Sequence, residues 1–251
     1  KVAKIYPEEP FVFNLIGVVS ASIGSYEEAI ESYKRALKIN PNYFEVYNNL
    51  GVALNDSKKP KDAISYLRKA LKINPHYPEA YNNLGNALKE IERLDQAIES
   101  YENAIKLNPK FIDPYTNLAI VFASKKNENE KAEYYFKKAL EISPENSEAL
   151  KYFSDFLVSI QRYSEAKVLL EKCLILVPRN PDVLNLLGQV YKSENFEKAL
   201  EFYNNALHLS EDKESIQNNI GALYFEFNKV KRAIRYFKKI SNSGGNTKTL
   251  L

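Results

Sequence analysis

The chain has 251 residues, 45% hydrophobic and 27% charged, with a formal net charge of +3. That balance is ordinary for a globular protein, and so small a net charge argues for neither nucleic acid nor an anionic membrane as partner. One cysteine excludes an internal disulfide framework, and no apolar run approaches the roughly 20 residues of a membrane helix.

No methionine occurs, and the opening KVAKIYP aligns with RALKINP at Arg35–Pro41. Lys1–Tyr6 are therefore expected to be the tail of a preceding helix, with residues 1–9 lying outside the first complete unit and the chain being part of something longer. The next segments repeat. NLIG at Asn14–Gly17 is followed by YNNLG at Tyr47–Gly51 and again at Tyr81–Gly85, then by TNLA at Thr116–Ala119, KYFS at Lys151–Ser154, NLLG at Asn185–Gly188 and NNIG at Asn218–Gly221. The closing residues of these seven copies are spaced 34, 34, 34, 35, 34 and 33 apart. A second signature follows each of the first three: EEAIESYKRALKINP at Glu27–Pro41, KDAISYLRKALKINP at Lys61–Pro75 and DQAIESYENAIKLNP at Asp95–Pro109. Weaker copies begin at Glu130 and Ser164. A fixed period of this length is the mark of a repeat array.

Each unit carries two apolar stripes at intervals of three and four, such as Tyr47, Leu50 and Leu54, then Ala63, Leu67 and Ala70. The pattern predicts a helical hairpin per unit, with helix A over 44–56 and helix B over 60–73 in the second. Asn-Pro closes helix B, because the residue before proline is pushed out of the helical region. Small residues recur where helices must approach: Gly51 on helix A, and Ala63 and Ala70 on helix B, with Ala29/Ala36, Ala97/Ala104, Ala132/Ala139, Ala166/Cys173 and Ala199/Ala206 repeating the pair. Cys173 stands where its siblings have alanine, so it reads as a packing residue. The last unit has Ala233 but then Ile240, which crowds the place of a following helix. Repeat four carries one extra residue in SKKNENE and repeat six is one short in YKSENFE, both near the A–B turn.

The period, the YNNLG-type signature, the small–large pairing and the terminal proline together resemble the tetratricopeptide repeat. The resemblance implies an all-α, right-handed superhelix of about seven helix-turn-helix repeats, at about 10–43, 44–77, 78–111, 112–146, 147–180, 181–213 and 214–241, followed by a flexible tail over 242–251. It also implies that helix A lines a concave face.

No catalytic constellation stands out, and a non-enzyme is expected. His76 and His208 read as solvated surface groups, no His/Cys cluster suggests a metal, and no glycine-rich phosphate loop suggests a cofactor. Glu27 and Glu28 begin a helix, where acids suit the dipole. Lys34, Arg35, Lys38, Arg68, Lys69, Lys72, Lys137 and Lys138 alternate with Glu31, Glu99, Glu102 and Glu141, as on a solvated outer face.

The informative surface is helix A, whose asparagines are costly inside a helix because the side chain competes for the backbone. Asn14, Asn48, Asn49, Asn82, Asn83, Asn86, Asn117, Asn218 and Asn219 are the candidate peptide-groove residues. Two readings stay open: amides that bond neighbouring helices, or amides that grip the backbone of an extended peptide. Within the family, the carboxylate-clamp subtype needs Lys and Arg where this chain has Asn14, Asn48, Asn82, Glu45, Glu79 and Asp113. The asparagine row looks instead like the repeat domains of O-linked glycosyltransferases and related bacterial proteins, although it breaks at Tyr152 and Leu186. The expectation is a protein- or peptide-binding scaffold in the cytoplasm, without nucleic acid, cofactor or membrane insertion. The alternatives are a substrate-selecting module of a larger transferase and a scaffold that self-assembles through its terminal repeats.

Overall fold

A computed structural model of the chain describes residues 9–242, which form helices joined by short turns, with no strand among them. A first compact unit runs to Ile142. It holds α1 (Pro10–Ser22), α2 (Tyr26–Ile39), α3 (Phe44–Asp56), α4 (Pro60–Ile73), α5 (Pro78–Glu90), α6 (Leu94–Leu107), α7 (Ile112–Ser124) and α8 (Asn129–Ile142). A second unit starts at Ser143. It holds α9 (Ser147–Ser159), α10 (Tyr163–Leu176), α11 (Pro181–Tyr191), α12 (Phe196–Leu209), α13 (Lys213–Glu226) and α14 (Val230–Asn242). Helices pair in sequence as antiparallel hairpins, and within each unit the second helix of a hairpin also packs on the first of the next. The ranges of α3 and α4 are those the apolar stripes predict.

Local chemistry sets the boundaries. Proline opens α1, α4, α5 and α11, where its missing N–H costs nothing. In the second unit, Asn146, Asn180, Asn195 and Asp212 cap helix starts by accepting from backbone N–H groups one turn on. The Asn-Pro punctuation has a second function besides stopping the helix. Asn40, Asn74 and Asn108 are extended, and each Oδ1 accepts at 3.1 Å from the backbone N–H two residues later. Proline ends the helix and the asparagine side chain ties the exit loop.

The turn between paired helices uses one left-handed residue: Gly24, Lys58, Glu92, Asn127, Gln161 and Asn228 at successive repeats. Repeat six lacks this residue. There α11 stops at Tyr191 after 11 residues, and Lys192 stays right-handed helical, so the missing residue is absorbed in the turn.

Packing follows the small–large alternation. Ala29, Ala36, Ala63, Ala70, Ala97 and Ala104 are fully buried, as are Ala166, Cys173, Ala199 and Ala206. Each signature glycine faces a large side chain of its paired helix: Gly17 faces Tyr33, Gly51 Leu67, Gly85 Tyr101, Gly188 Tyr203 and Gly221 Phe237. A Cβ on Gly51 would sit 2.5 Å from Leu67 Cγ. Where the glycine is replaced by Ala119 or Ser154, Phe136 and Leu170 are still fully covered.

Among the described residues, the first helix and the last hairpin each expose an apolar face. On α1, Phe11, Leu15 and Val18 form an exposed stripe, with Phe11 60% accessible. At the last hairpin, Phe225, Phe227, Val230 and Ile234 are exposed. The expected tail of a preceding helix at Lys1–Tyr6, and the C-terminal tail beyond Asn242, lie outside the described residues. Asn242 itself closes α14 and is not part of the tail.

Candidate functional site: the amide row on the first helices

Helices α1, α3, α5 and α7 lie side by side in the first unit. The signature places two adjacent polar residues near the middle of α3, α5 and α7, and Asn14 followed by Leu15 in α1. The structure joins these positions from one helix to the next. Asn49 Nδ2 donates to Asn14 Oδ1 at 3.1 Å, Asn83 Nδ2 to Asn48 Oδ1 at 2.9 Å, and Asn117 Nδ2 to Asn82 Oδ1 at 3.0 Å. Asn219 Nδ2 repeats the bond to Asn185 Oδ1 at 2.9 Å in the second unit. In every pair the second amide of a signature donates backwards to the first amide of the preceding one.

Burial divides the candidates. Asn48 is 6% and Asn82 5% accessible, so these two do not line an open surface as expected. They are acceptors held inside the stack, at a position where an unmet polar group would be costly. Asn14, Asn49, Asn83, Asn86, Asn117, Asn218 and Asn219 are half-buried. Asn86 Oδ1 accepts from the Tyr101 hydroxyl at 2.8 Å, and burial holds that phenol protonated far above its ordinary range. Asn86 therefore braces the hairpin, a role that the asparagine row alone does not reveal. Asn55, about two turns beyond the row on α3, keeps a buried Oδ1 that meets no donor among the described residues.

An amide has two N–H donors and a carbonyl with two lone pairs. The backward bond uses one N–H of Asn83 and one of Asn117. It also locks the side-chain rotamer, so the remaining N–H and the carbonyl keep a fixed direction.

The row changes character in the second unit. Lys151 stands at the position of Asn48 and Asn82; its ammonium lies 4.4 Å from the ring centre of Tyr152 and 3.5 Å from Asp182 Oδ2. An ion pair from α9 to α11 replaces the amide bond, with Leu186 at the next signature closing the donor position. Sequence reading finds the break but not the substitute, because Asp182 lies outside the signature.

Groups with intrinsic reactivity are dispersed. His76 and His208 are exposed, and no cluster of three His, Cys, Asp or Glu able to hold a metal occurs among the described residues. Cys173 is fully buried, its Sγ donates to the Ser147 carbonyl at 3.4 Å, and burial pushes its thiol up, away from the reactive thiolate. No helix of the described residues is long and apolar enough to cross a membrane.

This hairpin arithmetic has known counterparts. Residues 44–77 and 78–111 each match the profile of the tetratricopeptide repeat, 123–190 match a further tetratricopeptide repeat profile, and 19–58 match a TPR repeat profile. A crystal structure of MamA protein is 30% identical, over 66% of this chain and 90% of that one, with a TM-score of 0.54. The chain belongs to the tetratricopeptide repeat family. Among other repeat structures, pilF of Pseudomonas aeruginosa covers 88% of this chain and 96% of its own at 22% identity and TM-score 0.70. The Cut9 and Hcn1 hetero-tetramer of APC/C reaches a TM-score of 0.78 at 15% identity, covering 88% of this chain and 44% of that one. At those identities the likeness concerns the fold alone. A protein CTR9 homolog of Arabidopsis thaliana is 28% identical over 116 residues, which are 44% of this chain and 11% of that protein. The chain thus spans about a tenth of the length of this relative. Tetratricopeptide repeats are generally protein-interaction scaffolds and typically have no catalysis of their own.

Proposed function

We propose that this chain is a non-catalytic scaffold that holds an extended segment of a partner protein along the face of α1, α3, α5 and α7. The observation that carries the reading is the backward amide bond, which aims Asn49, Asn83 and Asn117 at one spacing while leaving hydrogen-bonding capacity on Asn83 and Asn117. An extended chain offers N–H and C=O groups to such amides whatever its side chains. Packing and recognition are then one device: the bond inside the stack preorganises the amide that meets the ligand, which lowers the ordering cost of binding. The same row supports a narrower role, selecting substrates for a transferase in a longer chain. The exposed stripes on α1 and on the last hairpin support self-association.

Peptides selected on the protein from a random dodecapeptide library test the reading. Backbone recognition predicts that alanine replacements along a selected peptide change affinity only a few-fold, whereas N-methylation of successive backbone amides abolishes binding. A peptide that tolerates N-methylation but fails at one or two side chains contradicts it.

A further inference from the structure

The outer side of α4 carries a second surface that the amide row does not explain. Where α4 meets the α5–α6 turn there is a cavity of about 520 Å3. Lys61, Arg68, Lys69, Lys72 and Arg93 line it, and no carboxylate does. Its apolar lining comes from Ile64 and Ile91. All five cations are exposed, and none forms an ion pair among the described residues. Lys69 is turned over the rings of Tyr66 and Tyr47, at 5.0 and 5.9 Å from their centres.

This is a departure from the other hairpins. Lys61, Ser65, Arg68 and Lys72 follow one another at helical spacing along a single stripe. The same stripe reads Glu27, Glu31, Lys34 and Lys38 in the first repeat, and Asp95, Glu99, Glu102 and Lys106 in the third. In the first repeat the charges cancel, and in the third acids outnumber the one lysine. In the second repeat the stripe carries no acid at all, because Asp62 is the lone acid of α4 and lies off the cavity. Five like charges around one concavity repel each other unless an anion joins them.

We propose that this cavity is a docking site for an acidic segment of a partner protein, independent of the amide row. The shape favours a chain over a small anion. From Lys61 to Lys72 the stripe is about 16 Å long, so its charges are spread along a line rather than gathered around a point. Ile64 and Ile91 give an apolar side chain of the segment a place between the salt bridges. Carboxylates at intervals with an intervening leucine match this pattern. A single phosphate would reach only part of it.

The test uses the full 251-residue chain and a fluorescein-labelled peptide, EELEEELE, read by anisotropy at 0.15 M salt. R68E/K72E reverses two cavity charges, while K34E/K38E makes the same change in net charge at the matching positions of the first repeat. The expected result is saturable binding that R68E/K72E weakens about tenfold or more, while K34E/K38E leaves it within twofold. Helix content and melting temperature are followed throughout, and R68Q/K72Q serves as the readout if the reversal disturbs folding. Absence of binding to the parent chain overturns the proposal, as does equal weakening by both reversals. Displacement of the peptide by millimolar inorganic phosphate, with phosphate itself binding as tightly, assigns the cavity to a small anion and likewise overturns it.

Discussion

Asn83 Nδ2 donates to Asn48 Oδ1 at 2.9 Å, so a bond between two side chains ties α5 to α3 across one full repeat. Because Asn48 is almost completely buried, loss of Asn83 strands its Oδ1 inside the stack, while loss of Asn48 takes the acceptor from the half-buried Asn83 amide. Asn48→Ala and Asn83→Ala are each expected to destabilise the fold by about 1–2 kcal/mol. The double variant should cost less than their sum by about 1 kcal/mol, since the second change has no bond left to break. Urea unfolding of the three variants measures this directly, and strict additivity would mean that the two amides are energetically uncoupled.

Gly51 and Leu67 give a second coupled pair. A methyl group at residue 51 would meet Leu67 Cγ at 2.5 Å, on a side chain that is itself fully buried. Glycine to alanine inside a helix ordinarily stabilises by about 0.5–1 kcal/mol. Here Gly51→Ala is expected to destabilise by about 1–3 kcal/mol through overpacking. In a Leu67→Ala background the sign should reverse, because the space is then open. Thermal melts of the four proteins decide it; a stabilising Gly51→Ala in the parent chain would show that the hairpin is not closed on that contact.

Buried phenols give the stack an alkaline limit. Tyr33 is pushed up to about 12 by burial; Tyr77 is pushed up to about 12 by burial first and then by Glu79 and Glu45. Burial drives Tyr101 and Tyr203 higher still. A free phenol ionises near 10, so the folded values lie above the unfolded ones. The stability these groups contribute is complete below pH 10 and is lost as pH rises through about 12. Absorbance titration at 295 nm should show a fraction of the 18 tyrosines ionising late and together with loss of helical signal. Tyr77→Phe should remove one phenol from that late fraction. Full ionisation near pH 10 with the helices intact would contradict the burial.

The sequence carries the fold because period, apolar spacing and small–large alternation describe packing between neighbours in the chain. Gly51 announces a close approach, and Asn-Pro announces the end of a helix. The partner of each amide is less legible. Asn48 and Asn49 are adjacent letters, yet one is buried as an acceptor and the other half-exposed as a donor. Which of the two turns inward depends on the rotation of the next hairpin, a property of three dimensions. Tyr101 reaching Asn86, and Lys151 reaching Asp182, are hidden for the same reason. The basic cavity on α4 escapes a reading that pools the charges of all the second helices. Taken one helix at a time, the sequence shows no acid between Ala63 and Ile73.

In the proposed scaffold, bonds inside the stack aim Asn83 and Asn117 at a ligand. The most direct measurement compares two double variants for both melting temperature and affinity toward a library-selected peptide. Asn83→Ala with Asn117→Ala removes the amides proposed to face the ligand; Asn48→Ala with Asn82→Ala removes only the buried acceptors behind them. Both should melt earlier. The first pair is expected to weaken binding by about tenfold to a hundredfold, the effect of two hydrogen bonds. The second pair should weaken it only a few-fold, since the facing amides remain but are less firmly held. Equal affinities for both variants and the parent, measured well below their melting temperatures, would contradict a ligand-facing role and leave the amide row a packing device alone.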